Sequence, residues 1–338
     1  MGRYLLAGDV GGTKTTLTII DADQGPRVFV EKETFKSRDY SSLATIANQF
    51  LYKTKRQVSM VSFGIAGPVL EGGVQATNLP WSITETDLSK DLQVPVRILN
   101  DLTATAYAVP FLEDEELSIL NKGAKTANGV IGVIAPGTGL GEAYMIWGGN
   151  RYRAFSSEGG HADFAPTNEF QTRLFLHLRK KFSHVSYERV CSGKGLANLY
   201  EFLLSEEEFA EPDWLREKIE KSVDPAPEIT KAALEHSAEI ATKTLELFLS
   251  ILGAEAGNMA LKLMSTGGIY LGGGILPRIV PLLEGETFMS GFTAKGRFQE
   301  LLREIPVSLI RNSEAALLGA ACFGLEEWKQ YGNKDLDS

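Results

Sequence analysis

Two stretches of this chain share one unusual plan: a strand-like apolar run, a turn of glycine and threonine, and a second strand. The first is "YLLAGDVGGTKTTLTIID" and the second "GVIGVIAPGTGLGEAYMIW" (129–147). In the first, residues 4–10 and 15–21 read as strands, and Thr16, Leu17, Thr18 and Ile19 alternate polar and apolar. A third strand is expected around 27–35. Leu43, Ile46, Ala47, Phe50 and Leu51 then repeat at helical spacing. "VSMVSFGIA" reads as a buried strand, 84–92 as a short helix, "VRILN" as a strand and 102–109 as a helix up to Pro110. The order is β-β-β-α-β-α-β-α. After the second glycine turn comes a strand near 151–155, then helical segments at about 169–205 and 229–264. The strands "GIYLGG" and "VSLI" follow with a helix between them, and a last helix starts at Glu314. A duplicated unit of this kind implies an α/β protein of two related domains facing each other across a cleft. The expected division is 1–111 with about 313–338 as a small domain and 112–312 as a large one. The acidic "LEDEELSIL" after Pro110 would be the linker, and the final helix would return to the first domain.

Composition agrees and excludes several classes. The chain has 338 residues, 43% of them hydrophobic, which at roughly 100–200 residues per domain suits two cores. The net charge of −9 and the absence of a Lys/Arg cluster argue against nucleic acid as a partner. No apolar run approaches the ~18 residues of a membrane span. A strand from residue 4 leaves no stretch for a signal peptide, and Leu6 stands where a myristoylation motif needs Ser or Thr. The two cysteines, Cys191 and Cys322, lack metal-ligand spacing and read as free buried thiols. These features lead us to expect a cytoplasmic protein without a membrane partner.

The glycine turns suggest phosphate. Backbone N–H groups must approach a phosphate closely, and glycine leaves the room for it. Gly11, Gly12 and Thr13 can supply amides and a hydroxyl, Lys14 a cation, and Gly137-Thr138-Gly139 the same from the opposite side. Asp9, at a strand end, is placed to hold a hydrated Mg²⁺. The Walker pattern is not met, because Lys14 follows Thr13 and Gly193-Lys194 precedes Gly195. The dinucleotide fingerprint fails as well, because Glu142 stands where its third glycine would be. A glycine pair alone is more often an ordinary hairpin turn. The second unit and a third cluster, Gly272-Gly273-Gly274 between strand and helix, favour phosphate. Together they resemble the ATP site of the hexokinase–actin superfamily, in which two hairpin turns hold the phosphates and a glycine-rich turn faces the adenosine.

A polar set accompanies these turns. Asn100 and Asp101 stand where a strand gives way to a helix, which suits both an N-cap and a general base. "SSEGGHADFAP" brings Glu158 and His161 around a glycine pair, and "SYERVCSGKGL" sets Glu188 ahead of another glycine turn. Such carboxylates, amides and imidazoles suit the hydroxyls of a sugar. In order, "GDVGGTK", "NDLTATAYA", "APGTGLGEA", "EGGHADFAP", "ERVCSGKGL" and "GGIYLGGGILPR" are similar to the motifs of the bacterial glucokinase family. The resemblance spans nearly the whole chain. It implies the two-domain actin-like (ribonuclease H-like) ATPase fold and phosphorylation of glucose at the 6-hydroxyl with ATP and Mg²⁺. Carried over, Asp101 is the base, and Asn100, Asp101, Glu158, His161 and Glu188 bind the sugar. Gly8, Asp9, Val10, Gly11, Gly12, Thr13, Lys14, Gly137, Thr138, Gly139, Gly273 and Gly274 bind ATP. The family is commonly dimeric, so a homodimer is expected. Related repressor-type sugar kinases carry a Cys-rich zinc motif after their Glu-Gly-Gly-His. Only Cys191 lies near it here, so no zinc is expected. Kinases of mannose or fructose, or a polyphosphate donor, remain open as alternatives. So does a non-enzymatic actin-like module, although such a module has no reason to gather Glu158, His161 and Glu188.

Overall fold

The computed structural model describes residues 3–76, 79–206 and 208–334. They divide into two compact units. One comprises the chain up to Glu113, Tyr152–Ser156 and the chain from Asn312 onward; the other comprises Asp114–Arg151 and Ser157–Arg311.

The first unit opens with β1 (Tyr4–Val10) and β2 (Lys14–Asp21), an antiparallel hairpin closed by the Gly11–Thr13 turn. β3 (Phe29–Lys36) pairs antiparallel with β2. Next come α1 (Leu43–Thr54), β4 (Val58–Ile65), a small hairpin of β5 (Gly73–Gln75) and β6 (Ser82–Thr84), α2 (Glu85–Leu92), β7 (Val96–Asn100) and α3 (Asp101–Ala108). The main sheet runs β3-β2-β1-β4-β7, with β1, β4 and β7 parallel. Its period-2 pattern divides β1 between two cores. Leu6 and Val10 join Ile46 and Phe50 of α1, while Leu5 and Ala7 meet Ala320, Ala321 and Leu325 on the other face. A sheet buried on both faces explains why β2 is buried almost throughout, its threonines included. α1 starts where the Ser42 side chain accepts from the Thr45 N–H, and it ends on Lys55 in the left-handed conformation.

The second unit repeats the theme with β8 (Leu117–Asn121), β9 (Ile131–Pro136), β10 (Leu140–Trp147) and β11 (Tyr152–Ser157), whose first residues belong to the other unit. Five helices follow: α4 (Glu169–Arg179), α5 (Gly193–Ser205), α6 (Asp213–Lys221), α7 (Ala226–Leu234) and α8 (Glu239–Leu263). The rest is β12 (Gly268–Leu271), α9 (Val280–Leu283), α10 (Glu286–Thr293), α11 (Gln299–Arg303) and β13 (Val307–Ile310); the last helix, α12 (Ala315–Lys334), belongs to the first unit. The strand order is β10-β9-β12-β13-β8, with β9, β12 and β13 parallel. The acidic stretch carries the change from one unit to the other at Glu113–Asp114 and then enters β8. Its second half pairs antiparallel with β13 as an edge strand, which leaves Ile119 exposed and weakens the apolar signal. Among the described residues no helix is long and apolar enough to cross a membrane.

α12 packs on α3, β1 and β4 of the first unit. It approaches α3 so closely that a side chain at Gly319 would collide with the carbonyl of Ala104. In an exposed helix Gly→Ala stabilises by roughly 0.5–1 kcal/mol. Here overpacking, at about 1–3 kcal/mol, outweighs that gain. Gly319→Ala should therefore lower the melting temperature, and a raised or unchanged value in differential scanning calorimetry would contradict this packing.

Candidate active site

In the first unit the carboxyl ends of the parallel strands come together. Asp9 is level with Gly64 of β4, and Asn100 with Ile65. Ligands of open α/β sheets bind at such strand ends. Asn100 realises the helix cap. Its Oδ1 accepts from the N–H of Leu102 at 3.0 Å and of Thr103 at 3.3 Å, and its Nδ2 donates to the Gly67 carbonyl at 2.9 Å. The cap fixes the next residue, Asp101, whose Oδ1 accepts from Leu102 N–H at 2.9 Å. Burial pushes the Asp101 carboxyl up, against hydrogen bonds from Leu102 N–H, its own N–H and Asn100. Burial and then the neighbouring Asp101 push Asp9 up to about 6, while Lys14 pulls it down.

The hairpin turn above Asp9 is held from below. Ser37 Oγ donates to the Gly11 carbonyl at 2.7 Å, and the Ser37 N–H donates to the Thr13 carbonyl at 3.1 Å. Thr13 and Lys14 are exposed. Gly8 and Val10 differ from their neighbours: Val10 is buried in the core, and a side chain at Gly8 would strike Leu17 and Phe63. Only their main chain is available to a ligand.

In the second unit the Gly137–Gly139 turn closes the β9–β10 hairpin, and its Gly137 carbonyl accepts from Gly193 N–H at 2.8 Å. That contact brings the turn to the N-terminus of α5, capped by Ser192 Oγ accepting from Gly195 N–H at 3.0 Å. Gly137, Thr138, Gly193, Lys194 and Gly274 line one cavity of about 720 Å³. Its wall also includes Leu196, Ile275, Arg189 and Arg278. Gly139 and Gly273 do not line it; Gly273 has φ +83° and lies against the Pro136 carbonyl. Arg189 and Arg278 were not singled out from the sequence, although both stand inside the quoted motifs.

Glu158, His161 and Glu188 form one group. His161 Nε2 is 3.8 Å from Glu158 Oε2 and 4.0 Å from Glu188 Oε2. The Glu188 Oε2 also accepts from Leu140 N–H at 3.1 Å and occupies the space beside Gly139, 2.5 Å from where a side-chain carbon would sit. Ser192 Oγ donates to the Glu188 carbonyl at 2.7 Å. The sugar candidate Glu188 is thus built into the second glycine turn. Glu142, noted in the sequence only for breaking a fingerprint, is buried behind this group together with Glu255. An acidic residue at an inward position of an apolar strand was the available signal.

A family model described as Glucokinase matches residues 6–327. The glucokinase of Nostoc punctiforme is 41% identical over 332 residues, covering 94% of this chain and 97% of that protein. The glucokinase of Cronobacter sakazakii is 36% identical, covering 95% and 96%. A crystal structure of glucokinase from an Antarctic psychrotroph, 31% identical, superposes with a TM-score of 0.85 over 96% of this chain and 99% of that one. Structures of this kind have the two-domain actin-like ATPase fold, so the fold expected from the glycine turns is the one found. A match across nearly the whole length, at this level of identity, means that the chain belongs to the glucokinase family, enzymes that phosphorylate glucose with ATP.

Proposed function

We propose that this chain transfers the γ-phosphoryl group of ATP to the 6-hydroxyl of D-glucose, with Asp101 as general base. Glucose 6-phosphate and ADP would leave for glycolysis. The observation that carries the base assignment is the setting of Asp101. It is a carboxylate held rigidly at a strand's carboxyl end, with its proton affinity raised by burial toward the working range of a base. Phosphoryl transfer asks a protein for positioning and charge neutralisation rather than covalent chemistry.

In this reading Asn100, Asp101, Glu158, His161 and Glu188 bind the sugar hydroxyls. Glu158 and His161 stand too far apart for a mutual hydrogen bond, so neither exhausts the other's polar capacity. For the donor, the α5 N-terminus offers amides and a favourable dipole to phosphate, and Lys194 adds a cation. Leu196 and Ile275 give the cavity apolar wall that an adenine can cover and a bare polyphosphate cannot. Gly8–Lys14 would hold phosphates from the first unit. Asp9, a hard oxygen ligand raised by burial beside a second carboxylate, suits a hydrated Mg²⁺. When bound, the ion offsets charge on the phosphate oxygens. We extend the proposal to a cytoplasmic homodimer without zinc, a chain of two cysteines having no Cys-rich site to offer.

Asp101→Asn preserves shape, and its amide still stands beside the Asn100 cap. It cannot accept the hydroxyl proton, so kcat should fall about 10²–10⁴-fold with the fold intact. A folded variant within a few-fold of wild type would remove Asp101 from the mechanism.

Glu158→Gln, His161→Ala and Glu188→Gln should each raise the KM for glucose by the equivalent of about 1–3 kcal/mol, with little change in melting temperature. Gly139→Ala should do the same without touching sugar, because a methyl there displaces the Glu188 carboxylate. Steady-state kinetics across glucose concentrations checks all four, and unchanged KM values would move the sugar site elsewhere.

Activity should require added Mg²⁺, and its apparent affinity should weaken as pH falls through about 6, where a proton competes for Asp9. Elemental analysis should find no stoichiometric zinc. A Mg²⁺ requirement independent of pH would free Asp9 from this role.

A further inference from the structure

Behind the sugar-binding turns the second unit buries titratable groups that the mechanism does not use. Glu142 faces inward from β10 and is 6% exposed; Glu255, on α8, is 1% exposed. Asn258 Nδ2 donates to Glu255 Oε2 at 2.8 Å and to the Tyr187 hydroxyl at 2.9 Å. Lys295 Nζ donates to Asn258 Oδ1 at 2.6 Å, and Lys262 Nζ stands 3.7 Å from Glu255 Oε1.

Two contacts join this cluster to the sugar-binding groups. Tyr187 directly precedes Glu188 in the chain. Glu142 Oε2 lies so close against Gly159 that a side-chain carbon there has no room. Gly159 follows Glu158 and opens the turn that ends at His161. The other oxygen, Oε1, is buried with no hydrogen-bond partner among the described residues.

The two acids are therefore unequal. Glu255 has Asn258 and Lys262 to hold a negative charge; the Glu142 Oε1 has no donor. A buried carboxylate with an oxygen left without a donor is disfavoured, so of the two it is Glu142 that keeps a proton. Resting on the sugar-binding reading above, we infer that Glu142 is a positioning residue: as a neutral acid it props the Glu158–His161 turn, and its ionisation displaces that turn and weakens sugar binding.

The charged and titratable groups facing Glu142 are Glu255 and Lys262 from α8 and Cys191 ahead of α5, while Tyr187 and Lys295 face Glu255 behind it. Glu158 and His161 belong to the turn it supports. Burial first, then Glu255, pushes Glu142 up to about 7, with Lys262 opposing. Above that pH a second negative charge must sit beside Glu255. The short turn at Gly159 presses on the carboxyl and is tied by a hydrogen bond from its N–H to Ser157 Oγ at 3.0 Å. It is the neighbour the charge would push away.

The sign of the stability effect follows. A carboxyl raised in the folded state holds a proton that the unfolded chain has released, so stability falls as pH rises from the ordinary carboxylate range through about 7.

The test compares wild type with Glu142→Gln, a neutral isostere at every pH, by glucose KM and melting temperature from pH 5.5 to about 8.5, a span bracketing the titration. In wild type, KM should rise several-fold through pH 7 while the melting temperature falls. In Glu142→Gln both changes attributable to this group should vanish. Glu142→Ala, which removes the prop, should raise KM at all pH values, and the Gln variant should rescue it. If the Ala variant does not fold, the Gln comparison stands alone.

An alkaline KM rise identical in wild type and Glu142→Gln overturns the inference. So does a flattened melting profile with an unchanged KM profile, since the proton would then be uncoupled from the sugar turn. Glu158→Gln and Glu188→Gln, measured at one fixed pH, separate the two failures. If they leave KM unchanged, the sugar reading fails instead.

Discussion

The Glu188 carboxylate rests in the space that Gly139 leaves beside the β9–β10 turn, where it accepts the Leu140 N–H. Much of the second unit's site follows from that contact. Through Leu140 the carboxylate is fixed to the strand that begins after the phosphate-type turn. Through its carbonyl, bound by Ser192 Oγ, it is fixed to the cap of α5. Through its position it faces His161. A side chain at 139 would push the carboxylate aside, and with it the group expected to meet the sugar. The glycine read from sequence as a phosphate ligand makes room for an acid.

The same architecture appears twice. In the first unit the order β2-β1-β4-β7 puts a glycine hairpin turn beside the ends of three parallel strands; in the second, β10-β9-β12-β13 does the same. Each copy uses the ends differently. β7 ends in Asn100, whose cap bonds fix Asp101 at the start of α3. β12 leads instead into Gly272–Gly274, where a positive φ at Gly273 turns the backbone against Pro136 and leaves Gly274 in the wall of the cavity. One repeat thus ends in a carboxylate and the other in bare backbone, which is what the base and the nucleotide of the proposed reaction would respectively require.

How much of this was legible depended on whether the signal lay along the chain or between distant segments. β1, β4, β7, β9, β13 and α1 were readable because their apolar periods are local and strong. Asn100 was readable as a cap for the same reason, and the structure makes it one. β8 was not, because an edge strand one residue away from three acids lacks the apolar run of a central strand. α6 was missed because only Leu215 of its nine residues is buried. The β5–β6 hairpin is too short to show a period. The coupling of Glu142 to Glu255 joins residues 113 positions apart, and no window of sequence contains both. Its trace was a single acid among apolar strand residues.

The chain's acids fall into two physical classes that a sequence does not distinguish. Asp9 and Asp101 stand at strand ends, partly exposed, with Lys14 on one side. Burial raises both, yet their exposed edges can be reached by a cation from solvent, so their charge can be answered by a ligand. Glu142, on β10, is buried with Oε2 against the Gly159 turn and with Glu255 of α8 beside it. Lys262 answers its charge in part while Glu255 adds to the cost, and a proton or movement of the turn must answer the rest. A carboxyl open to solvent at a site can therefore serve chemistry as an anion. One sealed beneath the site serves it by staying neutral, and any gain of charge there is felt first by the loop it supports.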